Sequence, residues 1–332
     1  MRITRIAPAA TAAVLLALAL GGCAGIDTGT GTNQSSGTAA LPASCKSGTP
    51  SIAVLLPNLT NPYYVAMKKG FEDEAKAQGY SAKVQIANDD DANQLAQAQA
   101  ALQDKPCALA LNPVNSEPAA AIVRAANDAG VPVFNVNVGV SETAMKSQGA
   151  HIVQYLGADN VAGGKAMATQ ALKDLGDDAE LNIGLVTAPD QTIVVSRDKG
   201  FKQEIASDSK AKVVATVDGK VQLDTALNVS SAMIQGNPSM NVIFASTGPA
   251  TQGALQAVQA SGRDIQVYGF CASELKLEGH YRACVAQEPE DYGKRVVEQI
   301  RDHVKGKKVP ATVLRPLKQF VTGETPAAGE VG

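Results

Sequence analysis

Ser51-Ile52-Ala53-Val54-Leu55-Leu56, followed by Asn61-Pro62-Tyr63-Tyr64, decides the fold. The apolar hexapeptide reads as a buried strand. Asn61 can cap a helix, and Pro62 suits its first position. Tyr64, Met67, Phe71 and Ala75 then recur at steps of three and four, which puts them on one helix face. Gly79 ends the helix. The body of the chain therefore opens with a strand that feeds an amphipathic helix.

The same unit repeats. Further strands are expected at 81–87, 108–111, 131–136 and 151–156, with helices near 92–103 and 117–129 between them. Past Asp159 the pattern restarts with a helix over 161–175. Strands at 181–187, 212–217, 241–245, 265–270 and 282–287 follow, alternating with helices over 194–206, 225–235, 251–260 and 292–304. Strands that alternate with helices imply parallel sheets covered on both faces. Two such series imply an α/β chain of two doubly wound lobes. Ligands bind such sheets at the carboxyl ends of the strands, so the loops after each strand are where a site is expected.

The body is long enough for two domains. The whole chain has 29 basic and 32 acidic residues, a net charge of −3 and no tryptophan. No basic patch marks a nucleic-acid partner. No Cys or His pair has metal-ligand spacing. Asp89-Asp90-Asp91 suits a solvated helix start better than a cation site. Gly163-Gly164 lacks the Gly-x-Gly turn of a dinucleotide fingerprint and reads as a close helix contact. His151, His280 and His303 stand apart from any nucleophile. Neither metal, cofactor nor catalysis is expected.

At the amino end, Arg2 and Arg5 precede an apolar run from Ala9 to Leu20, then Gly21-Gly22-Cys23. A basic start, a short apolar stretch and small residues make residues 1–22 a secretory signal peptide, too short in its apolar part to span a bilayer. Cys23 after the small pair resembles a bacterial lipobox. That resemblance implies cleavage before Cys23 and acylation of it, and so a membrane reached through a lipid anchor only. Residues 23–47, rich in Gly, Thr and Ser, read as a flexible tether with a span of roughly 25 Å. Residues 323–332 read as a loose tail. Four further cysteines, Cys45, Cys107, Cys271 and Cys284, allow three disulfide pairings. If the first and third strands are neighbours, Cys45 and Cys107 come together, which leaves Cys271 and Cys284.

Across the body the chain resembles the type I periplasmic binding proteins, close to the ribose-binding branch of sugar-binding ABC-transporter components. The residues that carry the resemblance are Asn61-Pro62-Tyr63-Tyr64, Asn112-Pro113, Val131-Pro132-Val133, Asp159-Asn160 with Gly163-Gly164, and Arg197 with Gly200-Phe201. Gly253-Ala254-Leu255, Gly269-Phe270 and Ala286-Gln287 follow in order. The resemblance implies two lobes joined by a three-stranded hinge. Residues 48–157 and 288–316 would form one lobe, and 158–287 and 317–322 the other.

It also implies a cleft in which rings stack on the apolar faces of a sugar while amides bond its hydroxyls. The candidate ligand-binding residues are Asn58, Asn61, Tyr63, Tyr64, Asn112, Asn137, Thr247 and Gln287. Helix packing competes for Tyr64, and capping for Asn61. The chain departs from ribose binders at Asn137 and Val138, which replace an Asp-Arg pair, at Val195, which replaces an arginine, and at Thr247 and Cys271. Arg197 is expected to be structural. With fewer charges for the strong, charge-assisted bonds, a smaller or less hydroxylated solute than ribose is expected. The implied function is a monomeric, lipid-anchored substrate-binding component that delivers a small sugar, polyol or related solute to an ABC permease. The alternatives are a ligand-presenting subunit for a membrane sensor and a secreted α/β enzyme.

Overall fold

A computed structural model describes residues 41–332, apart from 47, 177, 178 and 274. The signal-peptide, Cys23 and most of the tether readings lie outside the described residues. No helix among the described residues is long and apolar enough to cross a membrane.

The first series builds one lobe. Its strands are β1 (Ser51–Leu56), β2 (Ser81–Ile86), β3 (Ala108–Leu111), β4 (Val133–Val136) and β5 (Gln154–Ala158). Helices α1 (Pro62–Ala77), α2 (Asp91–Gln103), α3 (Ala119–Asp128) and α4 (Glu142–Gln148) connect them. The second series builds the other lobe from α5 (Asn160–Leu175), β6 (Leu181–Thr187), α6 (Thr192–Ile205), β7 (Ala211–Asp218) and α7 (Leu223–Gly236). It continues with β8 (Val242–Ala245), α8 (Gly248–Ser261), β9 (Gln266–Phe270) and β10 (Tyr281–Ala286). The chain then returns through α9 (Pro289–Val304), which packs on α1, to β11 (Thr312–Arg315), and crosses again to β12 (Lys318–Val321).

The sheet orders are β11-β5-β4-β3-β1-β2 and β12-β10-β9-β8-β6-β7. Every pairing is parallel except β10 with β12. The continuous apolar runs follow from this, because a parallel strand is buried on both faces. In β1, Ile52, Val54 and Leu56 join the core beneath α1 and α9, whereas Ala53 and Leu55 join the core beneath α3. The chain passes between the sheets three times, at 158–160, 286–289 and 315–318.

Side-chain caps start several of these helices. Asn61 accepts from the Tyr63 N–H, Asp90 from Asn93 and Thr247 from Ala250. The acidic run at 89–91 thus serves a helix start, and no cluster of metal-binding side chains occurs among the described residues. Gly164 lets α5 lie against α6, since a Cβ there would overlap the Arg197 carbonyl.

Two segments differ from their reading as loose chain. Cys45 closes a short 3-10 turn, Ala43–Lys46, and is disulfide-bonded to Cys107, so the tether is fastened to the body at its end. In the tail, Pro326, Glu330, Val331 and Gly332 are buried. Val331 pairs with Gln287 as an antiparallel bridge. Backbone bonds that only the folded body can offer hold this segment. Cys271 joins Cys284 across β9 and β10, with 4.9 Å between their Cα atoms.

Candidate functional site

The loops after β1, β4, β6, β8 and β10 converge between the lobes. Asn61, Tyr63, Tyr64 and Asn137 face Gln191, Ile193, Arg197, Thr247 and Gln287 across an inner chamber of about 20 Å³. An outer chamber of about 410 Å³ adjoins it, lined in part by Asn61, Val221, Gln222, Gly248, Cys271 and Gly332. A side chamber of about 110 Å³ lies past Tyr64 and Gln191, beside Asn58 and Asp89.

Tyr63 is the central polar group. Its hydroxyl lies 3.0 Å from Asn137 Oδ1 and 3.1 Å from Gln287 Oε1. One proton serves two carbonyl oxygens, so one acceptor is always short of a donor. Gln287 is 1% exposed, and its Nε2 has no partner in the protein. A buried polar atom left without a partner is costly, and here it lies at the chamber wall. Tyr64 meets Tyr63 edge to face at 5.6 Å. Burial pushes the Tyr63 hydroxyl well above the usual phenol range, against the opposing pull of Arg197, so it stays neutral and can donate.

Arg197, on α6, is the charged group of the inner chamber. Its Nε donates to Asn160 Oδ1 at 2.8 Å and its Nη1 to the Ser246 carbonyl at 2.7 Å. The guanidinium lies 3.5 Å from the centre of the Phe270 ring, within cation–π range. Burial lowers its pKa to about 10, partly offset by the surrounding tyrosines, so it is charged at neutral pH. The neighbouring Asp198 is hydrogen-bonded by Thr187 and Ser246. Burial raises its pKa, and those two hydroxyls oppose the rise.

The remaining predicted residues divide. Asn61 both caps α1 and lines the chambers. Asn137 sits at φ 59°, a left-handed conformation that asparagine tolerates. Asn58 lies at the side chamber, where it bonds Asp89 and the Asn61 N–H. Asn112 stands behind the wall, accepting from the Val138 N–H at 3.4 Å and donating to Met67 Sδ, and lines none of the three chambers. Val195 is 48% exposed and faces a surface hollow on the other side of α6. Arg197, read from sequence as structural, is a wall residue as well. Gln191, Ile193, Val221 and Gly332 were not anticipated.

The lobes also touch at the rim. The Thr192 N–H donates to Ser116 Oγ, that hydroxyl donates to Thr192 Oγ1, and Thr192 Oγ1 donates to the Gly139 carbonyl. Gln191 Nε2 donates to the Val114 carbonyl at 3.1 Å.

Comparison with known proteins agrees with this fold. Residues 52–308 match the periplasmic binding protein domain. The chain is 31% identical over 272 residues to the ribose import binding protein of Bacillus subtilis (strain 168), covering 81% of this chain and 86% of that protein. It is 27% identical over 265 residues to the D-allose-binding periplasmic protein of Escherichia coli (strain K12), covering 77% and 85%. A solute-binding protein from Mycobacterium smegmatis, solved with bound glycerol, has the same fold: the TM-score is 0.78 at 21% identity, covering 86% of this chain and all of that one.

Proposed function

We propose, since the chain belongs to the periplasmic binding protein family, that it captures a small sugar, polyol or related solute between its lobes for an ABC permease. One observation carries this reading. The chamber joins two tyrosine rings, four amides and a buried guanidinium, and leaves Gln287 Nε2 without a partner. Such a wall suits an uncharged molecule with apolar faces and several hydroxyls. The named ligands of the relatives, ribose and D-allose, and the glycerol of the Mycobacterium smegmatis structure belong to that class.

The lobes close on the ligand by bending at the three crossings, with residues 48–157 and 288–316 moving against 158–287 and 317–322. The rim bonds of Ser116 and Thr192 are what a closed state would gain. Acylated Cys23 holds the chain, as a monomer, on the outer face of the membrane. No bond is made or broken in this role.

A thermal-shift screen of trioses to hexoses and their alditols tests the reading. At least one compound raises the melting temperature, and the rise disappears in Gln287→Leu. The absence of any response in well-folded protein would count against it. Labelling cells with radioactive palmitate tests the anchor, since Cys23→Ser should not incorporate label.

A further inference from the structure

The inner and outer chambers share three lining residues, Asn61, Val221 and Gly332. We propose that residues 330–332 form a strap that partitions the cleft and sets the size of the ligand it admits. This rests on the reading of the cleft as a sugar site.

The strap is seated by backbone bonds on three separate elements. The Gln287 N–H donates to the Val331 carbonyl at 2.8 Å, and the Val331 N–H returns to the Gln287 carbonyl at 3.2 Å. The Gly332 N–H donates to the Cys271 carbonyl at 3.0 Å, and the Gly248 N–H donates to the Gly332 carbonyl at 2.8 Å. That last donor is the first N–H of α8, one of the groups a helix start leaves for an outside partner. The strap thus takes a bond that a ligand oxygen would otherwise receive.

Side chains fix the same segment. Val331 is 5% exposed and joins the core beneath α1 and α9. The Glu330 carboxylate accepts from Lys318 Nζ at 2.5 Å and from the Ala327 N–H at 2.7 Å. The seat is cut for glycine: a Cβ at 332 would lie 2.5 Å from Phe270 Cβ and 2.7 Å from the Cys271 nitrogen. Opposite it, Val221 holds φ 55°, an unfavourable left-handed conformation for a β-branched residue. Strained residues of this kind persist where the surroundings impose them, at ligand clamps among other places.

The consequence follows from the volumes. With the strap seated, the inner chamber of about 20 Å³ and the outer one of about 410 Å³ meet at a boundary formed by Asn61, Val221 and Gly332. With it gone, the two chambers merge along Gly332. The strap therefore favours compact solutes over hexoses at the tyrosine–arginine wall.

Calorimetric titration of the full chain with glycerol, erythritol, ribose and allose tests this. It is repeated on Gly332→Val, which cannot fit the seat, and on a chain shortened to Gly329. Circular dichroism confirms that each is folded, and the point variant stands if the shortened chain does not fold. The strap predicts that allose gains at least about ten-fold in affinity relative to glycerol in the variants. An unchanged ratio, or a ratio shifted toward glycerol, with sugars still binding, overturns the strap and leaves the sugar reading intact. No binding of any compound to any of the proteins overturns the sugar reading and the strap with it.

Discussion

Arg197→Met puts the buried cation of the chamber wall to the test. Methionine keeps much of the volume, so the change isolates charge and hydrogen bonding. It strands two buried acceptors, Asn160 Oδ1 and the Ser246 carbonyl, at about 1–3 kcal/mol each. It also removes the guanidinium from the Phe270 ring, worth about 2 kcal/mol when desolvated. Opposing this, burial already disfavours the charge. A pKa lowered to about 10 corresponds to about 3 kcal/mol that the variant recovers. The net loss is about 3 kcal/mol, or roughly 4–5 °C in melting temperature for a protein of this size. Urea denaturation and a thermal scan give the stability, and the sugar screen gives the second readout. The ligand-induced rise in melting temperature should vanish in Arg197→Met and be partly restored in Arg197→Lys. A variant within about 0.5 kcal/mol of the parent, the usual range for an unimportant surface position, with its ligand response intact, would refute the assignment.

Three further outcomes are expected. Replacing Cys284 by serine opens a 13-residue separation and Cys107 by serine a 62-residue one, so denaturant titration should show losses of about 3 and about 4 kcal/mol. Gly164→Ala forces a methyl group into the Arg197 carbonyl, and urea unfolding should show a loss of about 1–3 kcal/mol, as overpacking does. His303 is half-buried edge-on to Phe134, and burial lowers its pKa. The unfolded chain therefore takes up the imidazole proton first, and stability falls as pH drops from the usual histidine value through the lowered one. His303→Gln should flatten that limb of a pH series of melting temperatures.

The long periodic segments were legible because pattern and burial coincide. The run at 51–56 is buried on both faces, and the face of Tyr64, Met67, Phe71 and Ala75 is the one that α1 buries. Two short elements were not read. Helix α4 and strand β11 carry too few apolar positions to establish a period, and β11 reads Thr-Val-Leu-Arg with half its residues exposed. In the site, tyrosines and amides at strand ends were readable by position. Arg197, read as structural, bonds Asn160 and the Ser246 carbonyl and also lines the chamber, a second placement that the phase of its helix pointed to. Val194, Arg197 and Phe201, at steps of three and four, form the buried face of α6, while Val195, Lys199 and Lys202 form the outer one. That periodicity was present in the sequence and pointed the right way. Residues 330–332 had no such signal. Their seat consists of backbone groups of Gln287, Cys271 and Gly248, distant in sequence, that meet only after the second lobe has folded.

The most direct test of the account is a calorimetric titration of the purified protein with the best compound from the sugar screen, run beside Gln287→Leu and Arg197→Met. The account predicts one saturable site per chain in the parent protein and no measurable heat in the two variants, each shown to be folded. Undiminished binding in both variants would place the ligand elsewhere and contradict it.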